Sequence, residues 1–385
     1  MNKSSSGWIR IQNVVVVAYI VILCFTLDLI YVKSEYTMKP RFKILHTAAQ
    51  ESTSAIFESY IIPEPDFLIA SHSASFEVLD NGNLIAFWFA GSHEGKPDVK
   101  IWSSQFTHDH WSDAKIIVSP KMLSEDLSQY VHKVGNPVVY KSANGVLHLF
   151  VVSVGAIGGW SGSNIIHLQS KDSGLTWSQA EKLILTPILN ISTLTRTRAI
   201  ALEGGGFYLP VYHEMIYTYP ELLRFDSNGN FIQTIRMTSK RDMLQPAIVP
   251  TNMVLAYSFL RNKGSHDTVL YMQYGKKGGL SWSNPRATNI SNRDSSIAVV
   301  LLENNKLLMA RNPLDRGQLV LSISDDGLNW RDVVSLESMP NMEYSYPFIQ
   351  THDGIIDILY TYDRKKIKHV RFNLQWLDEQ IGKQP

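Results

Sequence analysis

Ser170-Lys171-Asp172-Ser173-Gly174-Leu175-Thr176-Trp177 is the stretch from which the fold is read. Its aspartate and serine oxygens suit the capping of backbone N–H groups in a tight turn. Its glycine supplies a positive φ, and its tryptophan is expected to pack back over the hairpin. Ser322–Trp330 (SISDDGLNW) is a second copy, and Tyr274–Trp282 (YGKKGGLSW) is a third that lacks the aspartate. Trp102–Trp111 is a degraded fourth, and Asp226–Phe231 is weaker still. Trp111, Trp177, Trp282 and Trp330 fall at intervals of 66, 105 and 48 residues. The long interval contains the weak copy and counts as two units. A period near 50 residues matches one four-stranded blade. Units beginning near Phe67, His132, Thr195, Leu244, Ile297 and Tyr344 make six. The turn reads as a structural brace and is assigned no chemistry.

The rest of the chain agrees. Short β-rich runs, such as Leu84–Ala90 (LIAFWFA), Val146–Val154 (VLHLFVVSV) and Met253–Phe259 (MVLAYSF), alternate with turn signals such as Asn144-Gly145 and Asp353-Gly354. Such strands build a sandwich, a barrel or a propeller, and the repeat selects an all-β, six-bladed β-propeller. Lys43–Tyr60 is expected to add the strand that closes the ring. Hydrophobic residues make up 44% of the 385, enough for a large core. A net charge of +1 gives no basic surplus for nucleic acid. Cys24 is the one cysteine, which excludes an intrachain disulfide and a cysteine zinc site.

Ile11–Val32 carries a single charge, Asp28, around an apolar heart at Val14–Leu27, with Lys3 and Arg10 before it. This predicts a transmembrane or signal-anchor helix. A cleaved signal peptide and a buried first helix are the other readings. The expected organisation is a cytoplasmic N-terminus at 1–10, the membrane segment at 11–32, a linker at 33–42, the propeller at 43–378 and a tail at 379–385. The propeller would then sit outside the cytoplasm, periplasmic or at the cell surface, as a monomer tethered to the membrane. If the segment is cleaved, it would be secreted.

The pattern S-x-D-x-G-x-S/T-W resembles the Asp-box, or BNR repeat, of the sialidase (neuraminidase) superfamily. Ser71–Trp102 and Tyr344–Val370 are similar to the opening and closing blades of a bacterial subgroup of predicted neuraminidases. The resemblance spans roughly residues 66–375. It implies three arginines on a substrate carboxylate, a tyrosine nucleophile with a glutamate partner, and an aspartate acid/base. Arginine grips a carboxylate with two parallel N–H donors. A tyrosine nucleophile departs from the two-carboxylate scheme of most glycosidases.

The resemblance implies these roles residue by residue. His72 stands where the first arginine is expected, and a protonated histidine could hold an anion. Asp98 matches the acid/base, with Glu94 as competitor. Gln245-Pro246 and Arg261 match the glutamate-proline pair and the second arginine, but Gln245 cannot act as a base. Glu214 is the candidate base from the neighbouring blade. Arg316 fits the third arginine, with Arg311 next. Tyr344, in Tyr344-Ser345, matches the nucleophile. Tyr346 is two residues along the strand and is expected on the same face; Tyr360 and Tyr362 are further candidates. Trp160 suits a sugar platform. Arg196 and Arg198 alternate in a strand-like run and are expected to share one face, with Arg198 a candidate for binding the substrate. His132 is a further funnel candidate.

The expected activity is that of an exo-acting, retaining glycoside hydrolase removing a sialic-acid-like or other acidic sugar from a glycan, without metal or organic cofactor. Two alternatives stand beside it. One is a hydrolase or lyase for uronate or rhamnose glycans, with His72 or His132 as acid or base. The other is a non-catalytic, membrane-tethered protein that binds glycans or assembles surface polysaccharide.

Overall fold

The computed structural model describes residues 14–24, 26, 39–44, 54–186, 190–264 and 268–383. Two compact units divide the chain, 1–39 and 40–385. In the first unit a helix covers residues 14–24. Among the described residues no helix is long and apolar enough to cross a membrane. The predicted anchor at 11–32 is therefore without structural support, and the remainder of that span lies mostly outside the described residues.

The second unit is an all-β, six-bladed propeller: its strands form six antiparallel sheets among the described residues. The first strands of the blades are Ala70–Val78, Lys133–Lys141, Thr193–Thr195, Met243–Pro250, Ala298–Leu301 and Tyr344–His352. They line the axis, and they start within a few residues of the unit boundaries read from the repeat. The ring closes through Phe57–Ile61, which adds to the last blade by pairing with Lys366–Asn373. The closing strand is thus the end of the Lys43–Tyr60 segment. Its beginning lies elsewhere: Lys43 donates its N–H to the Ala201 carbonyl at 2.9 Å, and Phe42 just before it is buried between the third and fourth blades, donating to the Met253 carbonyl at 2.8 Å.

The repeat turns sit at one end of the propeller and are braced as their residue types require. Asp172 accepts from the Thr176 N–H at 2.9 Å, and the Ser170 hydroxyl accepts from the Gly174 N–H at 2.9 Å. Hydrogen bonds from Thr176 hold the Asp172 carboxyl down at about 2. Asp326 does the same for Leu328 and Asn329, both at 2.8 Å. The tryptophans pack back on their own turns, the Trp282 and Trp330 indole N–H groups donating to the Gly279 and Gly327 carbonyls at 2.8 and 2.9 Å, and they also lean on the preceding blade. Trp177 meets Phe87 of the first blade edge-on at 5.5 Å, and Trp330 meets Phe259 of the fourth at 5.3 Å. A Cβ on Gly174 would stand 2.4 Å from Ile85, so that close approach requires glycine as well as its φ of 87°. Each turn is therefore a staple between blades.

Candidate active site

The other end of the propeller is built by a different device. Four axis-lining strands carry a bulge near their start, where the register jumps: after His72, Gly135, Leu244 and Ser345. The bulge residues Ser73, Asn136, Gln245 and Tyr346 have φ of 58°, 37°, 48° and 53°. Proline follows three of them, Pro137, Pro246 and Pro347. A positive φ on a tyrosine costs about 1–3 kcal/mol and calls for a functional explanation. Its effect is to turn these side chains towards one another. Ser73 Oγ donates to Asn136 Oδ1 at 3.0 Å.

Tyr346 occupies the centre. The guanidinium carbons of Arg196, Arg316 and Arg261 lie 5.2, 5.5 and 5.9 Å from its ring centroid. Arg261 Nη1 donates to the Tyr346 hydroxyl at 3.4 Å and to Gln245 Oε1 at 3.0 Å. His72 meets the tyrosine ring at 4.4 Å. The resemblance selected Tyr344, in Tyr344-Ser345, as the nucleophile, and strand alternation put Tyr346 on the same face. The bulge breaks that alternation: Tyr344 is fully buried among Ile349, Tyr360 and Leu319, with its hydroxyl against Met342 Sδ at 3.5 Å. Tyr360, bonded to Glu337 at 2.6 Å, and Tyr362, beside Tyr344, also stand away from the arginines. The missed signal is the X-Pro dipeptide recurring near the start of alternate blades, at Pro137, Pro246 and Pro347.

Two of these arginines are held by acids. Arg261 Nε donates to Asp294 at 2.8 Å, and Arg316 Nη1 to Glu343 at 3.1 Å. Arg364, not singled out from the sequence, joins them. Its backbone carbonyl accepts from Ser71 at 2.9 Å, and its guanidinium bridges Glu343, at 2.6 Å, and Glu94, at 3.4 Å. It enters beside the strand where His72 replaces the expected arginine. Burial raises the Glu343 carboxyl, and bonds from Arg364 and Ser345 more than offset this, leaving it below the usual range.

His72 is 3% exposed, and neither ring nitrogen has a hydrogen-bond partner. Burial, then the charges of Arg364, Arg316, Arg196 and Arg261, push its pKa well below 6.5. The ring is neutral at ordinary pH and does not supply the positive charge expected of it. Arg196 and Arg198 do not share a face, because the strand is interrupted between Thr195 and Ile200. Arg196 reaches Tyr346. Arg198 lines a cavity of about 760 Å³ at the repeat-turn end, with Glu77, Tyr140, Lys141, Gln350 and His352, and so lies away from the arginine cluster.

Asp98 accepts from the Ser92 N–H and hydroxyl, both at 2.8 Å. Partial burial raises its carboxyl, and these bonds lower it further than that, so it is held ionised. Glu94, on the same loop, is the carboxylate of the two in contact with Arg364. Glu214 is tied to Lys263 and makes no contact with Tyr346; Gln245 separates them, its Nε2 donating to the Tyr212 hydroxyl at 3.4 Å. Trp160 is half-buried on Val152, Leu194, Tyr212 and Leu244, with Lys133 Nζ 4.1 Å from its ring centroid. It forms a wall of the funnel instead of a free platform. Arg311 turns inside the fifth blade, to Ser322 and Asp332. His132 pairs with the Tyr130 hydroxyl at 3.1 Å on the rim.

Residues 82–358 match the family model described as a BNR repeat-like domain. The chain belongs to this family. No curated protein matches the sequence. Among solved structures, a Dyadobacter fermentans protein of unknown function is similar over 82% of this chain and 98% of its own, with TM-score 0.66 and 12% identity. A Hadza microbial sialidase is similar over 80% of this chain and 67% of its own, with TM-score 0.67 and 15% identity. Trypanosoma rangeli sialidase is similar over 86% of this chain, with TM-score 0.63 and 16% identity, and this chain spans 60% of its length. At such identities the likeness is one of fold. It joins the repeat in assigning this BNR chain to the sialidase-like propellers.

Proposed function

We propose that this BNR propeller is an exo-acting glycoside hydrolase that removes a terminal acidic sugar of the sialic-acid type. One observation carries the reading: a tyrosine turned into the funnel by a strained bulge, with Arg196, Arg261 and Arg316 around its ring. Arg261, Arg316 and Arg364 bind the sugar carboxylate through their N–H donors. Tyr346 Oη attacks the anomeric carbon, the bond to the leaving oxygen breaks, and Glu94 protonates that oxygen. The phenolic proton passes to water in the funnel. In the second step the Glu94 carboxylate takes a proton from water, which displaces Tyr346 with net retention, and the departing phenolate recovers the proton that the funnel water had taken. The apolar N-terminal run fits a site of action outside the cytoplasm.

A second reading has its own observation. Gln245 occupies the place of a base, and it cannot accept the tyrosine proton. That favours a propeller that binds acidic glycans without cleaving them. The test is release of a fluorescent leaving group from an α-sialoside by residues 40–385, with Tyr346→Phe beside the wild type. The hydrolase reading expects wild-type turnover and a loss of at least about 1000-fold in the variant. No wild-type turnover, with sialoside binding unchanged in Tyr346→Phe, replaces it by the binding reading.

A further inference from the structure

Arg196 is the guanidinium of the cluster that no carboxylate holds. It comes from the third blade, directly across the axis from the sixth. Its Nη2 donates to the Tyr346 carbonyl and, at 3.1 Å, to the Pro347 carbonyl. The side chain is 1% exposed, and its Nε and Nη1 have no hydrogen-bond partner. Its charge faces the rings of Tyr346 and Phe348, at 5.2 and 5.8 Å. Burying a cation this way is unfavourable unless its surroundings compensate. Here they are the two carbonyls of the strained bulge and the ring that the bulge turns inward. An ordinary strand at Tyr346 would withdraw both carbonyls into the ladder and leave the guanidinium unsatisfied. Arg196 and the bulge therefore stabilise each other.

We propose that Arg196 is a positioning residue: it ties the third blade to the sixth across the funnel floor and holds Tyr346 in the place from which it acts. This rests on the hydrolase reading for its catalytic consequence, but not for its structural one. No other cation donates to both carbonyls; Arg261 and Arg316 approach the ring and leave the backbone free. The role differs from binding the substrate anion, because Arg196 lies beneath the tyrosine.

The test uses Arg196→Met and Arg196→Lys in the otherwise intact chain. A crystal structure of Arg196→Met should show the Tyr346 ring withdrawn from His72 and its φ returned to negative values. With an α-sialoside, kcat per folded molecule should fall about 100-fold with KM little changed, the size expected of a misplaced reacting group. Arg196→Lys keeps a buried donor and should recover at least about tenfold of that loss. If Arg196→Met does not fold, the comparison of Arg196→Lys with wild type carries both readouts at smaller amplitude. A variant structure in which Tyr346 keeps its place overturns the proposal, as does a loss confined to KM. A wild type without turnover removes the hydrolase reading alone, and the crystal structure still decides the role of Arg196.

Discussion

The two ends of this propeller are organised on opposite principles. At the repeat-turn end the turn itself is built within a few residues: Asp172 caps Thr176, four residues away, and Ser170 caps Gly174. At the funnel end every decisive contact is long-range. Arg196 reaches Tyr346 across 150 residues, and Arg364 reaches Glu94 across 270. The first end repeats because every blade needs the same staple. The second does not, because four of the six blades each contribute a different side chain from an equivalent bulge: Ser73, Asn136, Gln245 and Tyr346. Repetition marks stability, and departures from it within a common backbone device mark the site.

The comparison breaks most readily at the two rim carboxylates. If Glu94 is the acid, Glu94→Gln should lose about 100–1000-fold on a natural glycoside and little on an aryl glycoside whose leaving group needs no proton. Asp98→Asn should lose only the caps from Ser92, about 1 kcal/mol of loop stability, with both substrates turned over nearly as before. Rate measurements on the two substrates decide it. The reverse pattern would restore Asp98 to the acid role and make Glu94 a partner of Arg364 alone.

At the stapled end the expected effect is on stability alone. Trp330→Ala empties a site that is 4% exposed and packed edge-on against Phe259. It should cost about 3–5 kcal/mol, read by denaturant unfolding, while KM for the sialoside stays unchanged. A change in KM without loss of stability would mean that the staples and the funnel are coupled.

A pH dependence follows from the second blade, where His148 and His167 face each other at 3.0 Å. Burial lowers His148 to about 4; burial and then the charge of His148 lower His167 to about 3. Below the ordinary value of 6.5 the unfolded chain takes up protons that the folded chain refuses. Stability is therefore whole above about pH 6.5 and falls with acid towards about pH 4, by about 3 kcal/mol for His148. Thermal melts across that range should show the loss. His167→Gln keeps a hydrogen-bond partner for His148 and should shallow the slope; an unchanged slope would place the proton uptake elsewhere.

The blade count and ring closure were legible because a repeat turn is a local object: a few residue types at fixed spacing account for its hydrogen bonds. Arg261, Arg316 and Gln245 were legible for a related reason, each standing at a motif position of its own blade. Tyr346 was not, because strand alternation holds only for an unbroken ladder, and the register jump after Ser345 cannot be read from Tyr344-Ser345. Arg364 was hidden by topology. It lies in a hairpin turn of the last blade and meets the first only when the ring closes. His72 was read as an ionisable anion ligand because burial is not visible in a residue type.

The smallest expected effect gives the sharpest comparison, since it concerns two tyrosines separated by one residue. Tyr344→Phe removes a hydroxyl that bonds weakly to Met342 Sδ and meets the Tyr362 side chain, and it preserves the ring packed between the last two blades. It should change stability by less than about 1 kcal/mol and leave sialoside turnover at the wild-type level. Turnover lost in Tyr344→Phe but retained in Tyr346→Phe would mean that the active backbone is an unbroken strand with the bulge ironed out. Arg196 would then have no carbonyls to hold, and the funnel floor would have to be rebuilt around the other tyrosine.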